Sequence, residues 1–84
     1  MNIYIGNLNY NAKDEELEEL FSAFGTVQTV KVIRDFNTGR SRGFAFVEIE
    51  DEEGGLKAIE ELNESEFLER KIIVNRAREK GENG

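Results

Sequence analysis

The order in which two kinds of hydrophobic periodicity follow one another is the feature that most constrains the fold of this 84-residue chain. Two segments repeat apolar residues at i, i+3, i+4 and i+7, the spacing of an amphipathic helix. Four short segments around them alternate their side chains with period two, the spacing of a strand. The predicted order is therefore strand, helix, strand, strand, helix, strand.

The two helices have recognisable apolar stripes and ends. The first is predicted over residues 11–24, with Asn11 as its N-cap and Gly25 as its C-terminal stop. Its stripe consists of Leu17, Leu20, Phe21 and Phe24. The second is predicted over residues 51–62, followed by Asn63 in the left-handed conformation that ends many helices. Its stripe consists of Gly55, Ala58, Ile59 and Leu62.

The strands and their connections define one small domain. Strands are predicted over residues 2–8, 27–34, 42–49 and 71–75, and a turn with Gly39 at positive φ joins the second and third. Two split βαβ halves with right-handed crossovers place both helices on one face of the sheet. The predicted fold is an α+β, ferredoxin-like βαββαβ sandwich with a four-stranded antiparallel sheet in the order 4-1-3-2. The domain is expected to span residues 1–78, with a short disordered tail at 79–84.

The third strand is apolar on both faces. Phe44 and Phe46 share one face, and Ala45, Val47 and Ile49 share the other. Because two helices can cover only one face of the sheet, the two phenylalanines are predicted to lie on the uncovered face, beside Tyr4 of the first strand. The competing interpretation, in which all three rings are core, requires a cover that the chain does not supply.

Composition excludes several kinds of function. With no Cys and no His, the chain lacks thiolate chemistry and the commonest general base and zinc ligand, so no metal, cofactor or catalytic residue is expected. No apolar run approaches the ~20 residues of a membrane span. A cytoplasmic monomer without a membrane or small-molecule partner is expected.

The net charge of −7 is unevenly distributed. Residues 11–25 carry five acidic side chains against Lys13, and residues 51–69 carry eight against Lys57. These two segments contain the predicted helices and carry net charges of −4 and −7. Since the whole chain carries −7, the remaining residues carry a net charge of +4. The open sheet face therefore lies on the more basic side of an acidic protein.

Two segments resemble the signature motifs of the RNA recognition motif family. Residues 3–8, Ile-Tyr-Ile-Gly-Asn-Leu, resemble its RNP2 hexamer, and residues 42–49, Arg-Gly-Phe-Ala-Phe-Val-Glu-Ile, resemble its RNP1 octamer. Seven of the eight RNP1 positions fit, and Ile49 stands where an aromatic is usual. The chain is most similar to small bacterial and cyanobacterial proteins with one such domain.

The resemblance implies that the protein binds single-stranded RNA. It implies that Tyr4 and Phe46 each stack a base and that Phe44 lies between the two sugars. It also implies that Arg42 contacts a phosphate. Polar residues around the rings are further candidates for phosphate or base-edge contacts, with plain solubility as the alternative: Lys31, Arg40, Asn75, Arg76 and Arg78. Asn2 is a weaker candidate, with the start of the first strand as its alternative role.

Two departures from the family leave other functions open. Glu64 and Glu69 stand where the family often has Gly, and both helices are strongly acidic. One alternative is a protein-binding module, in which the open rings or the acidic helices hold a peptide. An acylphosphatase-like enzyme would need an arginine in the anion-binding loop after the first strand, whereas residues 6–11 contain no cation.

Overall fold

A computed structural model describes residues 1–35, 37–39 and 41–77, with the backbone alone for Ser41 and Arg42. Eight elements follow one another: β1 Asn2–Gly6, α1 Asp14–Ser22, β2 Val27–Arg34, β3 Ser41–Ile49, α2 Glu52–Leu62, β4 Glu66–Phe67, β5 Arg70–Lys71 and β6 Ile73–Arg76. Strands β2, β3, β1 and β6 form one antiparallel sheet in that order. This confirms the predicted topology. The predicted tail at 79–84 lies outside the described residues.

The core lies between the helices and one face of this sheet. Alternate residues of the main sheet and the stripe residues of both helices meet there, and they are buried or partly buried. The buried apolar residues include Ile3, Ile5, Leu17, Phe21, Ala45, Val47, Ile49, Ala58, Ile72 and Val74. The predicted inward face of the third strand is therefore confirmed, and no helix of the described residues covers its opposite face.

Helix α1 begins three residues later than predicted, and Asn11 does not cap it. The Asn9 side chain accepts a hydrogen bond from the Asn11 amide at 2.8 Å, which holds residues 9–12 in a turn before the helix. The helix begins after Lys13, whose amide donates to the Glu16 carboxylate at 2.9 Å. Glu16, at the third helical position, thus accepts the hydrogen bond that the glutamate of a capping box accepts from the N-cap amide.

Asn63 does not adopt the predicted left-handed conformation. Its φ of −62° and ψ of 128° are extended, and the next residue, Glu64, has the positive φ of 67° instead. The extended backbone lets the Asn63 side chain accept a hydrogen bond from the Val74 amide at 2.9 Å. Asn63 therefore fastens the end of α2 to the outer edge of strand β6.

The last strand is divided, whereas one strand over residues 71–75 was predicted. Strand β5 pairs with β4 in a separate hairpin, and the ladder with β1 begins only at Ile73, opposite Gly6. The cause lies at Ile72, whose amide and carbonyl both bond to the Glu64–Ser65 backbone, at 2.9 and 2.8 Å. These bonds turn the chain before it joins the main sheet.

The β4–β5 hairpin turns through two residues with positive φ, Leu68 at 51° and Glu69 at 67°. Positive φ at both central residues defines the type I′ turn, which favours Asn and Gly because other side chains are strained there. The left-handed conformation costs a side-chain-bearing residue roughly 1–2 kcal/mol. Glycine, which has no Cβ, adopts this φ without strain, so the strain at position 69 belongs to the glutamate side chain.

Replacing Glu69 with glycine is expected to raise the free energy of unfolding by about 0.5–1 kcal/mol, because the relieved strain exceeds the added freedom of the unfolded chain. Chemical denaturation measures the change. Glu69→Ala is the matched control, since it removes the same carboxylate and keeps the strained φ. An equal gain in both variants would show that charge, and not backbone strain, is responsible.

Candidate nucleic-acid interface

Three aromatic rings form a contiguous surface at the centre of the open sheet face. The ring centroids of Tyr4 and Phe44 are 6.0 Å apart, those of Tyr4 and Phe46 5.8 Å, and those of Phe44 and Phe46 6.1 Å. The first two pairs are tilted and the third is edge-to-face. All three side chains are half-buried, so each keeps part of its ring accessible. We call these three residues the aromatic platform.

The register of the two central strands places the rings together. Tyr4 of β1 lies directly opposite Phe46 of β3, and their neighbours Ile3 and Ile5 lie opposite Val47 and Ala45. Because successive side chains alternate, burial of those neighbours in the core sends the rings to the other face. The sequence prediction of a shared open-face position for Tyr4 and Phe46 is thus confirmed.

Gly6 supports the platform from below. A Cβ atom at Gly6 would lie 2.6 Å from the Tyr4 hydroxyl oxygen and 2.9 Å from its Cε2 atom. The Tyr4 ring therefore lies over the Gly6 backbone, which explains why this glycine is buried on an otherwise open face. Periodicity in the sequence does not reveal this role of Gly6, because the role depends on the direction in which the Tyr4 ring leans.

Replacing Gly6 with alanine is expected to displace the Tyr4 ring and weaken single-stranded RNA binding about fivefold, equivalent to ~1 kcal/mol of lost stacking. Fluorescence anisotropy with a labelled hexanucleotide measures the change. If Gly6 acts through Tyr4, the same substitution has almost no further effect in a Tyr4→Ala background. Equal losses in both backgrounds would contradict a positioning role.

Two predicted polar residues flank the platform in one cross-strand row. Asn75 of β6 lies opposite Tyr4, and Lys31 of β2 lies opposite Phe46. Both side chains are exposed. The cross-strand row is therefore Asn75, Tyr4, Phe46 and Lys31, with the two rings in the middle and a polar side chain at each end. Asn2 is one row away, opposite Glu48.

The structure does not bring Arg76 to the platform. Arg76 lies opposite Ile3, a core residue, so its side chain belongs to the helix side of the sheet. There its guanidinium is 3.7 Å from the Glu52 carboxylate of α2, in an ion pair exposed to solvent. Arg40 and Arg78, and the side chain of Arg42, lie outside the described residues.

Gly43 introduces an irregularity beside the platform that the sequence prediction lacked. Val32 pairs with Ala45, but Arg34 pairs with Ser41, so β3 has two more residues than β2 over this interval. Gly43 has a φ of 87° within this bulge, and its carbonyl accepts a hydrogen bond from the Leu8 amide at 2.8 Å. The bulge thus ties the entry of β3 to the loop after β1.

The described residues offer no cluster of three or more His, Cys, Asp or Glu side chains able to hold a metal ion. Over the same residues, neither helix is long and apolar enough to cross a membrane.

Comparison with known protein families matches residues 3–73 to the RNA recognition motif. The chain belongs to the RNA recognition motif family. The matched residues run from Ile3 in β1 to Ile73 at the start of β6, and so include the whole aromatic platform. The ferredoxin-like fold and the family identification therefore agree with the resemblance found in residues 3–8 and 42–49.

This RNA recognition motif protein is 42% identical over 84 residues to a Nostoc sp. protein named as RNA-binding protein RbpE, covering 100% of this chain and 85% of that protein. The crystal structure of RNA-binding protein PG1 superposes with a TM-score of 0.93 and 54% identity, over 98% of this chain and 99% of that chain. A Sxl-lethal protein/RNA complex superposes with a TM-score of 0.87 and 36% identity, over 96% and 48% of the respective chains.

Proposed function

We propose that this protein binds single-stranded RNA by stacking bases on the Tyr4, Phe44 and Phe46 rings. The observation that carries the proposal is the platform itself: three rings with centroids within 6.1 Å of one another, on a sheet face that neither α1 nor α2 covers. Unstacked bases place their π faces on such aromatic side chains in this family. The similarity to RbpE, PG1 and a structure solved with RNA supports the same function.

Stacking supplies most of the expected affinity. Each base stacked on an aromatic ring contributes roughly 1–3 kcal/mol. Two or three such contacts, with a few polar contacts, give an expected dissociation constant in the micromolar range, which corresponds to ~8 kcal/mol. We propose Arg42, Lys31 and Arg40 for phosphate contacts, and Asn75, Asn2 and Arg78 for base edges or sugars. Arg76 is a weaker candidate for an RNA contact, because its guanidinium lies beside Glu52 on the helix side of the sheet.

Proteins of this family are generally non-enzymatic. We propose that this chain likewise catalyses no reaction, because residues 6–11 carry no cation that could bind an acyl phosphate and the chain has no His or Cys. The cytoplasmic location, the monomeric state and the domain boundary at residue 78 stay predictions.

Selectivity for single strands and a shallow salt dependence test the proposal together. With three or four cations near the RNA, log Kd against log salt concentration is expected to have a slope of about 2–3, at ~0.7 per phosphate contact. The acidic helices are expected to repel a duplex. Anisotropy titrations with single-stranded and duplex RNA at several salt concentrations measure the slope and the preference for single strands. A slope steeper than about 5, or tighter binding to duplex RNA, would contradict stacking as the main source of affinity.

A protein partner is the second candidate function, because a groove lies between α1 and the β4–β5 hairpin. Its floor contains Leu20, Phe67 and Leu68, and Glu16 and Glu19 line it as well. We propose that a partner there would be a peptide with basic residues around an apolar anchor. Such binding and RNA binding use opposite faces of the sheet, so the two are compatible.

A further inference from the structure

Glu48 is an acidic side chain on the face where RNA is proposed to bind. Its neighbours in β3, Val47 and Ile49, are 1% and 0% exposed in the core, so Glu48 projects to the open face. It lies between two strands, with Asn2 of β1 and Thr29 of β2 as its cross-strand partners. A carboxylate at this position repels phosphate, but it accepts hydrogen bonds from base edges.

A depression of about 370 Å³ opens next to this carboxylate. Phe46 forms one of its walls, and its polar lining includes Asn2, Thr29, Lys31 and Glu48. A base that rests against the Phe46 ring can therefore turn its hydrogen-bonding edge toward both an anion and a cation. The depression thus adds a polar subsite to the aromatic platform.

The charged and amide groups of this subsite remain available to a ligand. Among the described residues, the side chains of Asn2, Lys31 and Glu48 make no hydrogen bond or ion pair with the protein. Lys31 and Glu48 are diagonal neighbours across β2 and β3, since they lie opposite Phe46 and Thr29 respectively. The Lys31 ammonium, a donor, and the Glu48 carboxylate, an acceptor, therefore belong to adjacent cross-strand rows beside the Phe46 ring.

We propose that this depression is a guanine-selective subsite, in which Glu48 accepts hydrogen bonds from N1–H and N2–H₂ of the base and Lys31 donates one of its three N–H groups to O6, which leaves the others for a phosphate. The inference rests on the proposed RNA-binding function and specifies which base the site takes. A carboxylate has two acceptor oxygens, and hydrogen bonds to an ionised group are about twice as strong as neutral ones. Single-stranded bases present their Watson–Crick edges freely to such groups.

The other three bases fit this pair of charges less well. Guanine alone carries two adjacent donors on its Watson–Crick edge, beside the O6 acceptor. Uracil presents one donor between two carbonyl oxygens, which would face the Glu48 carboxylate unfavourably. Adenine and cytosine each offer a single amino group there, so neither satisfies both carboxylate oxygens. A bidentate contact of this kind gives about tenfold discrimination between bases.

The test uses single-stranded hexauridylate in which one guanosine is moved through the six positions. For the wild-type protein, guanosine in at least one position is expected to tighten binding about tenfold over uridine. Inosine, which lacks the N2 amino group, is expected to lose most of that gain. Glu48→Gln is expected to reduce the guanosine preference below about twofold without weakening hexauridylate binding. Glu60→Gln, the same charge change on the exposed side of α2, is the matched control.

The outcomes separate this subsite from the proposed function. If hexauridylate binds and Phe46→Ala weakens it, but guanosine brings no preference or its preference survives in Glu48→Gln, the subsite is refuted and RNA binding stands. Equal affinity for inosine and guanosine would also refute it. If none of these oligonucleotides binds, both the subsite and the proposed function are refuted.

Discussion

Replacing Phe46 with alanine is expected to weaken the binding of short single-stranded RNA by about 5- to 150-fold, the equivalent of 1–3 kcal/mol for one base stack. Phe46 has the largest expected effect because it is central to the interface. Its ring lies within 5.8 Å of Tyr4 and 6.1 Å of Phe44, lines the depression beside Glu48, and lies opposite Lys31. Anisotropy titration measures the loss.

Phe46→Tyr is the matched control, because it keeps a ring of almost the same shape and is expected to change affinity less than about threefold. Thermal unfolding of both variants separates lost stacking from lost structure. Phe46 is half-buried on the open face and is not among the fully buried core residues, so its truncation is expected to leave the fold intact. Unchanged RNA affinity in a folded Phe46→Ala protein would contradict the platform.

Replacing Gly54 with alanine is expected to lower the free energy of unfolding by about 2–3 kcal/mol, although alanine ordinarily stabilises a helix by ~1 kcal/mol over glycine. Gly54 lies in the first turn of α2, and a Cβ there would overlap the backbone carbonyl oxygen of Phe24, just after α1. Since a carbonyl cannot move without shifting the chain, the two helices would have to separate. Denaturant unfolding measures the change.

The next residue supplies a matched control for this prediction. A Cβ at Gly55 would overlap the Sδ atom of Met1, the far end of a flexible side chain. That atom can move aside, so Gly55→Ala is expected to change stability by less than ~1 kcal/mol. If the two variants were equally stable, close backbone packing at Gly54 would not explain the glycine pair.

The sequence was sufficient to predict the order of the strands and the position of the three rings on the open face, because both follow from periodicity. Alternation in two central strands and the presence of two helical stripes determine which face is covered. The same alternation places Arg76, two residues after inward-facing Val74, on the helix side of the sheet. The family resemblance groups this arginine with the RNA-facing residues, whereas the alternation of the strand places it on the other face.

Other features could not be predicted from periodicity because they depend on individual contacts. The start of α1 depends on the Asn9 side chain bonding to the Asn11 amide, and the division of the last strand depends on the two backbone bonds of Ile72. The depression beside Glu48 depends on the register of three strands at once. Local sequence does not specify any of these pairings.

The measurement that most directly tests the central claim is an NMR titration of the ¹⁵N-labelled protein with a short single-stranded RNA. Binding on the platform predicts the largest amide shifts at Tyr4, Phe44 and Phe46, with smaller shifts at their row neighbours Lys31 and Asn75. Shifts confined to α1, α2 and the β4–β5 hairpin, with none at the three rings, would contradict the account and would favour the groove on the helix side as the binding surface.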